Sequence, residues 1–202
     1  MTDASVPLPH PARPVRVLAD LLGDARVRQV VLVLAGAGVV GAAAQLSVPL
    51  PGSPVPLTGQ TFAVLLVGAA LGPRRGAASM LFYLGAGTLG VPWFAGGGSG
   101  FRAATFGYLV GFVLAAALVG WLAARGGDRR PLRTAGTMAA GTILIYLTGA
   151  AWLVAGLGLA PSAAVAVGVV PFVPGDILKA VLAMGLLPAA WRVAAHVTDR
   201  QR

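Results

Sequence analysis

Two ionisable residues, Asp176 and Lys179, stand alone in a long apolar part of the chain. They are the only charged residues between Arg133 and Arg192, and they lie three positions apart at the start of a segment typical of an apolar helix. Three residues make nearly one helical turn, so both side chains project from one face. A charged residue inside a membrane-spanning helix costs about 2.5–3.5 kcal/mol and usually faces a cavity or a solute path. The pair is therefore the first candidate for a binding site.

A purely structural explanation of the pair stays open at this point. Pro174 suits the first turn of a helix, and an acid there complements the helix dipole. Lys179 would then merely neutralise Asp176. Against this, a charged pair is a costly way to begin an apolar helix. A protein with apolar residues in place of a buried ion pair is often just as stable.

Composition indicates a membrane protein. Of 202 residues, 57% are hydrophobic and 10% are charged, whereas about 25% are charged in a typical soluble domain. The absence of cysteine excludes disulfides and thiolate chemistry. The net charge of +9 comes from arginine clusters between uncharged runs, which is the pattern of membrane topology and anionic-lipid contact rather than of nucleic-acid binding.

The sequence offers no set of residues for catalysis. Two G-x-G-x-x-G segments, 36–41 and 85–90, lie inside apolar runs without an acidic residue about 20 positions later, so they indicate helix packing through small residues rather than dinucleotide binding. The glycines at 96–100 are not followed by the Lys-Ser/Thr of a phosphate-binding loop. We therefore predict a non-enzymatic protein with no catalytic residue, no metal site and no cofactor.

The uncharged runs predict an all-α polytopic membrane protein with six transmembrane helices. The spans are 29–48, 59–71, 76–93, 105–124, 134–156 and 172–191, with a short helix at 163–170 buried at the outer face. Residues 1–25 are predicted to be a cytoplasmic tail, disordered or interfacial, and 26–202 a single membrane domain. A cleaved signal peptide is the alternative for the first run, but its length and its small-residue pattern favour a retained span.

The arginines predict the orientation. With six spans, thirteen arginines fall on one side of the membrane and only Arg102 on the other, which places both termini in the cytoplasm of a plasma-membrane protein. The two outer loops are a proline loop, 47–58, and a glycine loop, 94–102. Irregular backbone survives at membrane depth only against protein or a cavity, so these loops either cover a cavity or are simple turns.

Five ordered motifs resemble the BioY family, the biotin-binding S components of energy-coupling-factor (ECF) transporters. They are Pro-Val-Pro-Leu-Thr-Gly-Gln-Thr at 54–61, Leu-Gly-Pro-Arg-Arg-Gly at 71–76, Gly-Val-Pro-Trp-Phe-Ala-Gly-Gly at 90–97, Gly-Tyr-Leu-Val-Gly-Phe at 107–112 and Pro-Phe-Val-Pro-Gly-Asp-Ile-Leu-Lys at 171–179. The resemblance covers roughly residues 30–191. It implies six helices in the lipid bilayer and entry of biotin from outside. It also implies two kinds of protein partner, a transmembrane coupling subunit and ATPase subunits.

The resemblance also implies the substrate site. Its acid and lysine match Asp176 and Lys179, and Tyr108, Gly98 and Ser99 are the further predicted contacts. The chain departs from the family at 103–108, where Ala-Ala-Thr-Phe-Gly-Tyr replaces Gly-Pro-Thr-Gly-Gly-Tyr after a shorter loop. The glycine loop therefore differs from that of the family in both length and sequence. The alternatives are an S component for another carboxylated vitamin and a ligand-free membrane scaffold.

Overall fold

A computed structural model describes residues 17–19, 26–101 and 104–199, with side chains as far as residue 196. These residues form six α-helices: α1 (Arg26–Gln45), α2 (Gln60–Thr88), α3 (Phe106–Ala123), α4 (Pro131–Leu157), α5 (Pro161–Gly168) and α6 (Val173–Asp199). Two short antiparallel strands, β1 (Ser47–Val48) and β2 (Leu57–Thr58), close the ends of the proline loop. The prediction of a mostly helical chain is confirmed.

The chain reverses direction inside α2, at Gly72. This residue has φ 83° and ψ 176° and is followed by Pro73, and only glycine adopts that backbone conformation without strain. Gln60 Nε2 donates a hydrogen bond of 2.8 Å to Tyr83 Oη, although 23 residues of unbroken helix would separate the two by about 35 Å. The segments 60–71 and 73–88 are therefore two antiparallel arms, in the place of the second and third predicted spans.

Four segments of the described chain are long and apolar enough to cross a membrane. They are Arg26–Gln45, Phe106–Ala123, Pro131–Leu157 and Pro161–His196. The third predicted span extended to residue 93, but α2 ends at Thr88. There the chain turns back, and Trp93 Nε1 donates to the carbonyl oxygen of Tyr83 at 3.0 Å. The loop that follows Thr88 is as apolar as the end of the helix. Composition alone therefore placed the predicted boundary five residues beyond the observed one.

Close approach of backbones joins α2 to α3. A Cβ atom on Gly120 would lie 2.4 Å from the carbonyl carbon of Gly72, and one on Gly68 would lie 2.8 Å from the carbonyl oxygen of Ala116. These glycines leave no room for a side chain, so the two helices pack at the distance that small residues permit.

The small residues of α1 divide between an inner and an outer face. Ala37 and Gly41 are buried, and Gly41 faces the indole of Trp93. Gly38 has open space where a Cβ would lie, and Ala42 is exposed. The outward stripe is thus available for contact with lipid or with another subunit.

The predicted tail, 1–25, lies outside the described residues except for 17–19. Val17 is buried there, and its Cγ1 atom lies 3.3 Å from the position of a Cβ on Gly72. This short segment therefore packs against the reversal of α2.

Candidate functional site

A cavity of about 460 Å³, which is open to solvent, lies between α2, α3, α4 and α6. The proline loop and Ala95 of the glycine loop border it. Its walls are mainly apolar, with contributions from Val55, Leu57, Leu109, Phe112 and Phe172. Asp176 and Lys179 supply the charge. The predicted pair therefore lies in a cavity whose mainly apolar lining and few polar groups are typical of a small-molecule site.

Asp176 and Lys179 form an ion pair in this cavity. Lys179 Nζ lies 2.7 Å from Asp176 Oδ1, and the side chains are 19% and 7% exposed. The lysine also donates to the carbonyl oxygen of Thr58 at 3.0 Å and to Thr61 Oγ1 at 2.7 Å. The three protons of its ammonium group thus have three acceptors.

Two hydroxyl groups from other helices hold the carboxylate. Thr61 Oγ1 on α2 donates to Asp176 Oδ1 at 3.0 Å, and Tyr146 Oη on α4 donates to Asp176 Oδ2 at 2.5 Å. Both hydroxyl residues were missed by the sequence analysis. Thr61 closes the motif at 54–61, and Tyr146 is the only tyrosine of the apolar run 134–156, which is the signal that could have singled it out.

The contacts of Asp176 and Lys179 help to decide between a helix-capping role and a binding role. Asp176 does lie in the first turn of α6, where an acid complements the helix dipole. A capping role alone, however, needs no partners from β2, α2 and α4. The convergence of these elements on the pair at a cavity wall favours a binding role.

The other predicted contacts are arranged differently. The Tyr108 ring lines the cavity, while its hydroxyl donates to the carbonyl oxygen of Gly168 at 2.7 Å and so fixes α5 to α3. Gly98 and Ser99 do not line the cavity, and Ser99 is exposed. The structure therefore brings Tyr108 together with the charged pair and leaves Gly98 and Ser99 outside this group.

A hydrogen-bond network fixes the start of the glycine loop. Tyr83 Oη donates to the carbonyl oxygen of Trp93 at 3.0 Å and accepts from Gln60, which also lines the cavity. The side chain of Phe94 is buried beside Gly87, where a Cβ atom would overlap the ring. The loop is thus anchored by Trp93 and Phe94, and its glycine segment begins beyond them.

The proline loop is tied to α5 by a side-chain hydrogen bond. Ser53 Oγ lies 2.7 Å from the carbonyl oxygen of Val167 and accepts from the Val55 backbone N–H at 3.1 Å. Since Val55 lines the cavity, this contact joins two segments that border its opening.

The fold and the site together define a membrane protein of apolar helices. Its charged cavity lies near the first turns of α2 and α6. A model of the BioY family matches residues 15–196, and the chain belongs to that family.

Its relatives are named as transporters. The biotin transporter BioY2 of Lactococcus lactis subsp. cremoris is 32% identical over 176 residues, covering 86% of this chain and 95% of the relative. The probable biotin transporter BioY of Pyrococcus horikoshii is 37% identical over 162 residues, covering 79% and 93%. The biotin transporter BioY of Rhizobium etli is 37% identical over 142 residues, covering 64% and 74%.

A solved structure shares the fold. The crystal structure of the S-component for biotin from an ECF-type ABC transporter superposes with a TM-score of 0.73, at 22% identity, and the match covers 83% of this chain and 92% of that one.

Proposed function

We propose that this chain captures biotin at the outer face of the membrane as the substrate-binding subunit of an ECF-type importer. The observation that carries the proposal is the Asp176–Lys179 ion pair in a mainly apolar cavity. The names of the relatives support the choice of ligand.

The chemistry of biotin suits this cavity at both ends of the molecule. Its ureido ring presents two N–H donors, its valerate chain ends in a carboxylate, and the remainder is apolar. A carboxylate such as Asp176 accepts from N–H groups, and an ammonium group such as Lys179 pairs with an anion. The aliphatic and aromatic walls bury the rest of the ligand.

Binding of an anion requires Lys179 to exchange a partner, because its three donors are already engaged. The carbonyl oxygen of Thr58 is the neutral backbone partner, at 3.0 Å. An incoming carboxylate makes the stronger, charge-assisted hydrogen bond. We therefore expect the ligand to replace Thr58 rather than Asp176.

Asp176 retains capacity for one more donor. An ionised carboxylate has about four acceptor positions, and Thr61, Tyr146 and Lys179 occupy three. One ureido N–H can take the fourth. The second can be accepted by Tyr146 Oη, whose proton is directed at Asp176.

For the membrane arrangement we propose six crossings with both termini in the cytoplasm of a plasma-membrane protein. The four long apolar segments supply four of them. The two arms of α2 supply the others, although each is shorter than the usual length of about 20 residues. The arginine distribution supports this orientation because it leaves one side nearly free of positive charge.

Energy for uptake would come from separate subunits, a transmembrane coupling subunit and ATPases. The outward stripe of α1, with Gly38 and Ala42, is the surface proposed for the coupling subunit. Small residues there permit the close approach of another helix.

Binding of radiolabelled biotin to the purified protein tests the proposal. We expect saturable binding of biotin at sub-micromolar concentrations. Biotin methyl ester, which lacks the anionic carboxylate, should compete poorly with the labelled biotin. Saturable binding of a different carboxylated vitamin, without binding of biotin, would reassign the ligand. A folded protein that binds neither would leave a scaffold as the function.

A further inference from the structure

A second buried acid lies at the end of the molecule opposite the cavity. Asp128, in the turn between α3 and α4, has no solvent exposure. Its Oδ2 atom accepts a hydrogen bond of 2.8 Å from Trp191 Nε1 on α6. The preceding residue, Gly127, accepts from Thr137 Oγ1 on α4 at 3.0 Å, so the turn is held on one side by α4 and on the other by α6.

The second oxygen of this carboxyl group has no partner among the residues that the structure describes. Within that part of the chain, Asp128 Oδ1 is buried without a hydrogen-bond donor. An ionised carboxylate in such a place loses the hydration of both oxygens, and Trp191 replaces it at only one of them. This desolvation normally favours the protonated, neutral form of the group. A neutral carboxyl group has less charge to desolvate, and the arrangement fits it better.

The surrounding charges are arginines directed at indole rings or at the exterior. The Arg129 guanidinium lies 4.5 Å from the centre of the Trp191 ring, and that of Arg125 lies 3.6 Å from the centre of the Trp121 ring. The other charged or titratable side chains described on α4 and α6 beside this turn are exposed and comprise Arg130, Arg133, Arg192 and His196. At the same end of the molecule, Arg26, Arg28 and Arg74 are exposed, and Arg75 is half-buried and donates to Gln29 Oε1.

We propose that Asp128 is a proton-binding site whose neutral carboxyl group holds Trp191 and thereby positions the inner part of α6. Burial raises the pKa of Asp128, against the lowering effects of the Trp191 hydrogen bond, of the backbone N–H of Asp128 itself and of the Arg129 charge. The proposed proton is gained or lost on the carboxyl group of Asp128 itself.

The position of α6 matters because this helix carries the cavity pair. Lys179 lies twelve residues before Trp191, about 18 Å along a helix. Many side chains of α6 are exposed, among them Ile177, Leu178 and Val181, and Pro188 removes one backbone donor within the helix. Near Trp191 the helix packs through the buried side chains of Ala183 and Leu187. The bond from Asp128 to Trp191 adds a specific polar contact to this apolar packing.

The test is the thermal unfolding of detergent-purified wild type and Asp128→Asn as a function of pH. An acid whose folded pKa is raised stabilises the fold only while it stays protonated, so its contribution is lost as pH rises from the unfolded value of about 4. Asparagine is neutral at every pH and keeps an oxygen for Trp191. We expect equal melting temperatures near pH 4 and an advantage for Asp128→Asn of about 2–4 °C above pH 7.

Other variants separate the hydrogen bond from the charge. Asp128→Ala and Trp191→Phe should each lower the melting temperature, and the double variant should lose little more than either, because both remove the same bond. The contribution of His196 cancels in the comparison with Asp128→Asn. These measurements involve no ligand, so their outcome is independent of biotin binding.

Two results would overturn the proposal. One is a melting temperature of Asp128→Asn that is as low as that of Asp128→Ala at every pH. This result would mean that the fold requires the ionised form of Asp128. The other is a difference between wild type and Asp128→Asn that does not change with pH.

Discussion

Lys179 Nζ lies 3.0 Å from the carbonyl oxygen of Thr58, so the charged head of α6 is bonded to the strand that ends the proline loop. The same nitrogen contacts Thr61 on the first arm of α2 and Asp176 on its own helix. One ammonium group thus joins three parts of the cavity wall. A ligand that replaces Thr58 on this nitrogen also releases one attachment of the proline loop.

Removal of one member of the pair should abolish tight binding. In Asp176→Asn or Lys179→Met, the ligand loses a charge-assisted hydrogen bond worth about 1.5–3 kcal/mol, or roughly 10-fold to 150-fold in the dissociation constant. Equilibrium binding of radiolabelled biotin measures the loss. Wild-type affinity in both variants would indicate a capping role instead.

The double variant Asp176→Leu/Lys179→Met separates stability from binding. Each single change leaves a partly buried charge without its partner, whereas removal of both is often nearly neutral. We expect the melting temperature to fall in each single variant and to recover in the double variant, while biotin binding stays lost. Recovery of binding together with stability would show that the pair does not contact the ligand.

Tyr146→Phe should weaken biotin binding by about tenfold. The change removes the donor to Asp176 Oδ2, and a hydrogen bond to a charged group contributes about 1.5 kcal/mol or more. Tyr108→Phe is the matched control, since its hydroxyl bonds to the Gly168 carbonyl and only its ring lines the cavity. We expect the control to reduce stability more than affinity. Equal losses of affinity would assign both hydroxyls to the ligand.

Gly72→Ala should destabilise the protein by about 1–3 kcal/mol, because the backbone conformation at the reversal of α2 is open almost only to glycine. Gly136→Ala is the control. This residue lies within α4, with open space where a Cβ would lie, and alanine is the better helix former. Thermal unfolding in detergent compares the two. Equal stability of both variants would mean that the chain passes Gly72 without the reversal.

Ser53→Ala should increase the rate of biotin dissociation several-fold. The hydroxyl ties the proline loop to the Val167 carbonyl, and its loss removes one restraint on the cavity opening. Ser99→Ala provides a comparison because Ser99 is exposed and does not line the cavity. A filter assay of ligand release reports both rates. Faster release from Ser99→Ala alone would show that the glycine loop, not the proline loop, retains the ligand.

Local sequence signals predicted most of the helices. The boundaries of α1, α3 and α4 lie within three residues of the predicted spans, because uncharged runs end where arginines or prolines begin. The reversal in α2 was also predicted as a break between two spans, because Arg74 and Arg75 separate two uncharged runs. Both kinds of feature, helix boundaries and the break in α2, depend only on residues that are close together in the sequence.

The polar partners of the cavity pair could not be predicted from local sequence. Asp176 meets Thr61 from 115 positions away and Tyr146 from 30 positions away. Such contacts depend on how the helices pack, which an apolar composition does not encode. The same limit applies to Asp128, whose adjacent arginines are typical of a solvated turn, although its carboxyl group is buried against Trp191.

Lys179 is the only lysine in the sequence, and there is no cysteine. An amine-directed reagent thus has one side-chain target in the entire chain besides the N-terminus, and that target is the partly exposed ammonium group of the cavity. Chemical labelling of the natural protein can therefore report occupancy of the site at a single atom. Likewise, one introduced cysteine would be a unique thiol, so a spectroscopic probe can be placed at any helix without altering a native residue elsewhere.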